Sequence, residues 1–120
     1  AILGASGFLG SQILSAFEAK NFEVIRFSRT QSTKSLRKEV LVDLFNEASL
    51  RSALLQTKPD IVLSAAWDTE HGKFWTNESN TAYREATLRF AELSFELAAR
   101  LRDEIRELKR ELKGMHEAGN

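Results

Sequence analysis

An α/β fold, a parallel sheet with flanking helices that is incomplete on its C-terminal side and is followed by a long charged helix, is predicted by three observations. A glycine-rich run, Gly4-Ala5-Ser6-Gly7-Phe8-Leu9-Gly10, stands directly after apolar Ile2-Leu3. Short β-rich runs alternate with helical patterns through residues 1–99, the rhythm of a parallel sheet with crossover helices. From Arg100 the chain becomes a charge-rich helix former with no strand signal.

Each element follows in order. Ile2-Leu3 is the visible end of a first strand, shorter than the usual five or six residues, as if an N-terminal piece were absent. In the turn after it, Gly4 suits the unusual dihedrals of a tight strand-to-helix connection. Gly7 lets backbone approach a pyrophosphate, and Gly10 lets the helix pack closely on the strand. The helix N-terminus then presents unpaired N–H groups and a partial positive charge to an anion. A glycine-bearing helix start without a ligand is the plainer alternative. Phe8, Leu9, Ile13, Leu14, Ala16 and Phe17 recur at helical spacing, and Lys20-Asn21 ends the helix. Residues 22–27 read as a second strand covered on both faces, and 40–42 as a third. Asn46 is placed to cap a helix over 47–56, whose Ala48, Leu50, Ala53, Leu54 and Leu55 form an apolar stripe. Lys58-Pro59-Asp60 introduces a fourth strand at 61–63.

The global properties bound the function. The 120 residues hold room for one core. With 17 basic and 17 acidic residues the net charge is zero, which argues against an obligate nucleic-acid surface. No apolar run is long enough to span a membrane and no signal peptide is visible, and the chain has no cysteine; a soluble, cytoplasmic protein in a reducing compartment is expected. The serine-, threonine- and lysine-rich run 29–38 reads as a loop.

Over residues 1–99 the sequence resembles the extended short-chain dehydrogenase/reductases, the NAD(P)-dependent epimerase/dehydratase family of nucleotide-sugar enzymes. Four segments carry the likeness. The glycine run is similar to that family's GxxGxxG turn. Asp43-Leu44 follows the third strand where the family holds the adenine. Pro59-Asp60-Ile61-Val62-Leu63-Ser64-Ala65-Ala66 resembles its strand ending in small residues, against which the cofactor lies. The segment from Thr87 to Leu93 looks like the start of its next helix, where a threonine follows the adenosine side. The resemblance implies a Rossmann-like NAD(P)-binding domain at 1–99, with a charged helical tail at 100–120. It implies cofactor contacts at Gly4, Ser6, Gly7, Phe8, Leu9, Gly10, Asp43, Leu44, Ala65 and Ala66.

Cofactor choice is read at the end of the second strand, where an acidic residue binds the ribose hydroxyls of NAD and a basic one accommodates the extra phosphate of NADP. Here stand Ser28 and Arg29, with Thr30 next and no carboxylate between Glu23 and Glu39. Arg29 can fork onto a phosphate while Ser28 or Thr30 donates to it, so NADP is expected, with NAD as the alternative. The plainer reading leaves Arg29 as a solvated loop residue.

The departures from the family are as informative. Its chemistry needs a Tyr-x-x-x-Lys pair, but the single tyrosine, Tyr83, is followed at that spacing by Thr87, and no fifth strand follows. Tyr83 stands where many members have an asparagine. No catalytic residue is therefore assigned, and the isolated chain is expected to bind a dinucleotide without turnover. A nucleotide-sugar or other carbonyl substrate would belong to a longer form. The competing function is a non-catalytic nucleotide-sensing or scaffold module that forms a homo-oligomer through its tail. The stretch 67–80, with Trp67, Asp68, Glu70, His71, Trp75 and Asn77, follows the fourth strand, where ligands gather in open α/β sheets; Glu70 and His71 lack metal-ligand spacing.

In the tail, Ala98, Leu101, Ile105, Leu108, Leu112 and Met115 keep a three-and-four spacing, a narrow apolar seam flanked by charges. Such a seam either covers the sheet edge or face left by the missing strands, or pairs with another copy, or belongs to a partly frayed solvated helix. Gly114 and the closing 118–120 are expected to end the helix.

Overall fold

The computed structural model describes residues 1–30, 38–68, 72–73 and 75–119. The element order is β1 (Ile2–Leu3), α1 (Phe8–Ala19), β2 (Arg26–Ser28), β3 (Glu39–Leu41), α2 (Glu47–Thr57), β4 (Leu63–Ser64) and α3 (Ser79–Ala118). The four strands form one parallel sheet in the order β3-β2-β1-β4, the α/β architecture that the alternation predicts. The chain winds from β1 out to β3 and then returns to the other side of β1 as β4. A crevice therefore opens at the carboxyl ends of β1 and β4, the switch point where open α/β sheets bind ligands.

Alternation along the strands sends neighbouring residues to opposite faces. Leu3, Phe27, Val42 and Leu44 enter the larger core with Leu50, Ala53 and Leu54 of α2 and Ala86, Phe90, Leu93 and Leu97 of α3. Ile2 joins the smaller cluster with Ala5 and Leu14 of α1. Two helices thus cover one face and a single helix the other. That asymmetry corrects the apolar stripes read from the sequence: Phe8, Leu9 and Ala16 of α1 are exposed, and Ala48 and Leu55 of α2 point outward. Among the described residues no second helix lies beside α1 on its face, and only the side that touches β1 is buried.

Local chemistry sets the boundaries. Asn46 caps α2 by accepting from the Ser49 N–H at 3.1 Å, as its position predicts. α1 stops at Lys20, and Asn21 takes a φ of 63°, a conformation asparagine tolerates. β2 begins later than the apolar run 22–27 suggests, because Phe22 folds back edge-on against Phe17 with ring centroids 5.0 Å apart. β3 and β4 are displaced by one or two residues from 40–42 and 61–63. Arg51 ties the outer faces of α2 and α3 together, donating to Glu47 and to Glu96.

α3 is one unbroken 40-residue helix, about 60 Å long at 1.5 Å per residue. It gives the molecule a longest extent of 70 Å and a radius of gyration of 18.1 Å, against about 14 Å for a compact chain of this length. Residues 102–119 are all exposed, so the tail does not cover the sheet edge. The physical reason is that nothing in the stretch from Ala98 to Lys113 breaks a helix and turns the chain back. Gly114 lies within the helix rather than ending it; the helix continues to Ala118, and Gly119 donates to the Met115 carbonyl.

Candidate functional site

The crevice is built from the glycine turn outward. β1 delivers Gly4 into a left-handed conformation, φ 81°, and a Cβ there would lie 2.6 Å from the Ala66 nitrogen and 2.7 Å from the Ala65 carbonyl carbon. Only glycine fits both the dihedral and the space. Ala65 in turn donates to the Leu3 carbonyl at 2.8 Å, which holds the small-residue end of β4 against the turn. Gly10 performs the packing role expected of it: a Cβ on it would stand 2.0 Å from the Gly4 oxygen.

Gly7 is different. A Cβ on Gly7 would meet only the Gly4 oxygen, at 3.5 Å, so the protein itself does not require glycine there. Gly7 is the N-cap of α1, with no capping side chain and no acidic residue in the first turn. The helix start thus presents backbone N–H groups and its positive dipole end with no carboxylate in its own first turn, a cradle suited to a pyrophosphate.

A cleft of about 490 Å³ opens beside this cradle. That volume lies within the range of small-molecule sites. Of the residues expected to contact a cofactor, Gly4, Ser6, Gly7, Ser28, Arg29, Leu44, Ala65 and Ala66 line it, together with Thr30. Phe8, Leu9, Gly10 and Asp43 do not. The side chains of Phe8 and Leu9 face solvent, and what they can offer an anion is their backbone at the start of α1. Asp43 instead shapes the loop after β3, its carboxylate accepting from the Phe45 N–H at 3.0 Å while its own N–H donates to Ser49 Oγ.

Phe45 was not visible as a site residue in the sequence. The Asp43 turn carries it to the cleft wall, where its ring meets Tyr83 edge-on at 5.1 Å, and Tyr83 stacks on Trp67 at 5.8 Å. The Trp67 indole donates to Asn80 Oδ1 at 2.8 Å, fixing that end of the wall to α3. Glu39 also borders the cleft, aligned with Arg26 two residues before Ser28. Its backbone therefore sits roughly 7 Å back from the end of β2 where Ser28 and Arg29 lie. Thr87, one helical turn after Tyr83, has a buried hydroxyl oxygen with no hydrogen-bond partner among the described residues and does not line the cleft. In the stretch after β4, Asn77 donates to Asp68 at 2.8 Å, whereas Glu70 and His71 lie outside the described residues.

A model of the NAD dependent epimerase/dehydratase family matches residues 1–106. The chain belongs to that family. Membership implies a nicotinamide dinucleotide cofactor, and the glycine cradle and cleft fit one. Among solved structures, a UDP-glucose 4-epimerase is similar with a TM-score of 0.59 and 21% identity, covering 84% of this chain and 32% of that one. This likeness shows the shared fold. Two curated relatives are of another kind. UvrABC system protein B of Thermobifida fusca (strain YX) is 83% identical over 29 residues, 24% of this chain and 4% of that protein. Its counterpart in Corynebacterium diphtheriae (strain ATCC 700971 / NCTC 13129 / Biotype gravis) is 37% identical over 97 residues, 81% of this chain and 11% of that protein. The chain therefore spans only a small part of either relative. A 29-residue segment is below the size at which a domain folds alone, about 40 residues, so that match concerns a local element. No helix among the described residues is long and apolar enough to cross a membrane.

Proposed function

We propose that the cleft binds NADP(H) in preference to NAD(H), as the cofactor-binding part of a nucleotide-sugar epimerase, dehydratase or reductase. The observation that carries this reading is the convergence of the glycine cradle with Ser28, Arg29 and Thr30 on one cleft. The backbone at the start of α1 takes the pyrophosphate. Ala65 and Ala66 let the dinucleotide lie against the end of β4, and Arg29 takes the ribose phosphate as a bidentate donor assisted by a hydroxyl. Glu39 borders the cleft from β3, in register with Arg26 rather than with Ser28 at the end of β2.

Bound dinucleotide supplies hydride chemistry, and this chain's residues orient it and shield one side with the wall of Phe45, Tyr83 and Trp67. Without a lysine one turn after Tyr83, the phenol lacks the neighbour that would ready it for proton exchange. The 120-residue chain therefore binds without turnover, and oxidation of NADPH by the purified chain in the presence of a nucleotide sugar would contradict this. A cytoplasmic setting accords with a cysteine-free chain.

The selective test is Arg29→Ala. A charge-assisted phosphate contact is worth roughly 1.5–3 kcal/mol, so calorimetry should show NADP(H) binding weakened roughly tenfold to a hundredfold and NAD(H) binding nearly unchanged. Equal effects on both cofactors would remove the phosphate-binding role.

A further inference from the structure

Ile105, Leu108, Leu112 and Met115 are between 51% and 71% exposed along the part of α3 that leaves the domain. Extended back through Leu101 and Ala98, they alternate in steps of three and four, so Ala98, Ile105 and Leu112 take heptad position a and Leu101, Leu108 and Met115 position d. The domain packs on a different stripe of the helix, Ala86, Phe90, Leu93 and Leu97. That stripe lies about a sixth of a turn from the seam. At the seam's start Leu101 packs against the domain core, and Ala98, Leu101 and Ile105 border a cavity with Leu54, Pro59 and Val62; Leu108, Leu112 and Met115 lie beyond that cavity and are exposed.

Most ion pairs along the segment lie on its outward side, although Arg102, at flanking position e, pairs with Asp103 at 3.2 Å. Arg106 pairs with Asp103 at 3.9 Å, Arg110 with Glu107 at 2.7 Å and Lys113 with Glu117 at 3.8 Å, all at the outward positions b, c and f. Glu104, Lys109 and Glu111, which flank the seam, take part in no ion pair among the described residues. Glu104 and Glu111 occupy position g, while Arg102, Lys109 and His116 occupy position e.

We propose that this segment of α3 pairs in parallel with the same segment of a second copy of the chain. In a parallel pair each g residue faces the e residue of the next heptad, so Glu104 meets Lys109 and Glu111 meets His116 of the other copy. In an antiparallel pair g faces g and e faces e, so Glu104 would meet Glu111 and Arg102 would meet Lys109. The flanking charges thus favour one orientation and oppose the other. Ile105 at a with Leu108 at d suits a two-stranded assembly. By the two-fold relation the globular parts project to opposite sides of the helix pair. The inference does not depend on the cofactor reading.

The test uses the whole 120-residue chain, which has no cysteine, so Met115→Cys installs a single thiol. Sedimentation equilibrium is expected to give twice the 13.6 kDa chain mass at submillimolar concentration. Met115→Cys should form a disulfide-linked dimer with itself on mild oxidation. Lys109→Glu should weaken association about tenfold, and mixing it with Glu104→Lys should restore a heterodimer. A monomer mass throughout would overturn the proposal. So would a Met115→Cys chain that links only to an Ala98→Cys chain, or a Lys109→Glu variant that associates more tightly, since both are the marks of an antiparallel pair.

Discussion

Replacing Gly10 with alanine is expected to cost the domain several degrees of melting temperature. The new Cβ would sit 2.0 Å from the Gly4 oxygen and 2.7 Å from the Gly4 carbonyl carbon, and 3.0 Å from the Ala5 Cα. All of these are backbone atoms, so no side chain can swing aside. Relief requires α1 to lift away from β1, where the cluster of Ile2, Ala5 and Leu14 with Ile13, Val24 and Leu63 around it holds the helix. Overpacking of this kind costs about 1–3 kcal/mol, and each kcal/mol moves the melting temperature of a domain this size by roughly 4–8 °C. Circular dichroism on heating reads the effect directly. An unchanged transition would mean that the turn is looser than its geometry implies.

Gly7→Val separates ligand from fold. At Gly7 an added Cβ meets only the Gly4 oxygen at an ordinary 3.5 Å, so the turn has room for it, at the modest cost of a poor N-cap residue. The space in front of the helix start is nevertheless where a pyrophosphate would lie, and a branched side chain there blocks the approach of the anion to the N–H groups. Dinucleotide binding is expected to fall by more than about a hundredfold, equivalent to about 2.7 kcal/mol, while the melting temperature changes far less than in the Gly10 variant. Titration and melting of the same preparation decide it. Retained affinity would place the phosphates elsewhere.

The contrast between these two glycines shows what the sequence made legible and what it left hidden. The spacing of Gly4, Gly7 and Gly10 after an apolar strand was enough to locate the strand-to-helix turn, because Gly4 and Gly10 stand where the backbone comes too close for a Cβ, whereas Gly7 has room for one. The end of β2 was legible for the same reason: strand order fixes which residues meet the crevice. The cleft's aromatic wall was only partly legible. Trp67 could be placed at the carboxyl end of the fourth strand and Tyr83 only by its match to an asparagine of the family, but Phe45 reaches the wall through a side-chain-to-backbone turn at Asp43, which leaves no periodic signature. Helix faces were over-read for a related reason. The pattern counts apolar residues without knowing how many neighbours cover each face, so Phe8 and Leu9 look buried in the sequence and stand in solvent in the structure. In the tail, helix propensity was readable from composition, whereas its direction depends on an unbroken α3 carrying it past the sheet.

The central claim, that this cleft is an NADP(H) site, is tested most directly by calorimetric titration of the 120-residue chain with NADPH and, separately, with NADH. The expected result is one site per chain, with NADPH bound roughly tenfold to a hundredfold more tightly, the margin that a single charge-assisted contact from Arg29 supplies. Equal affinities would contradict the preference for NADP(H), and no heat of binding with either dinucleotide would contradict the cleft as a cofactor site.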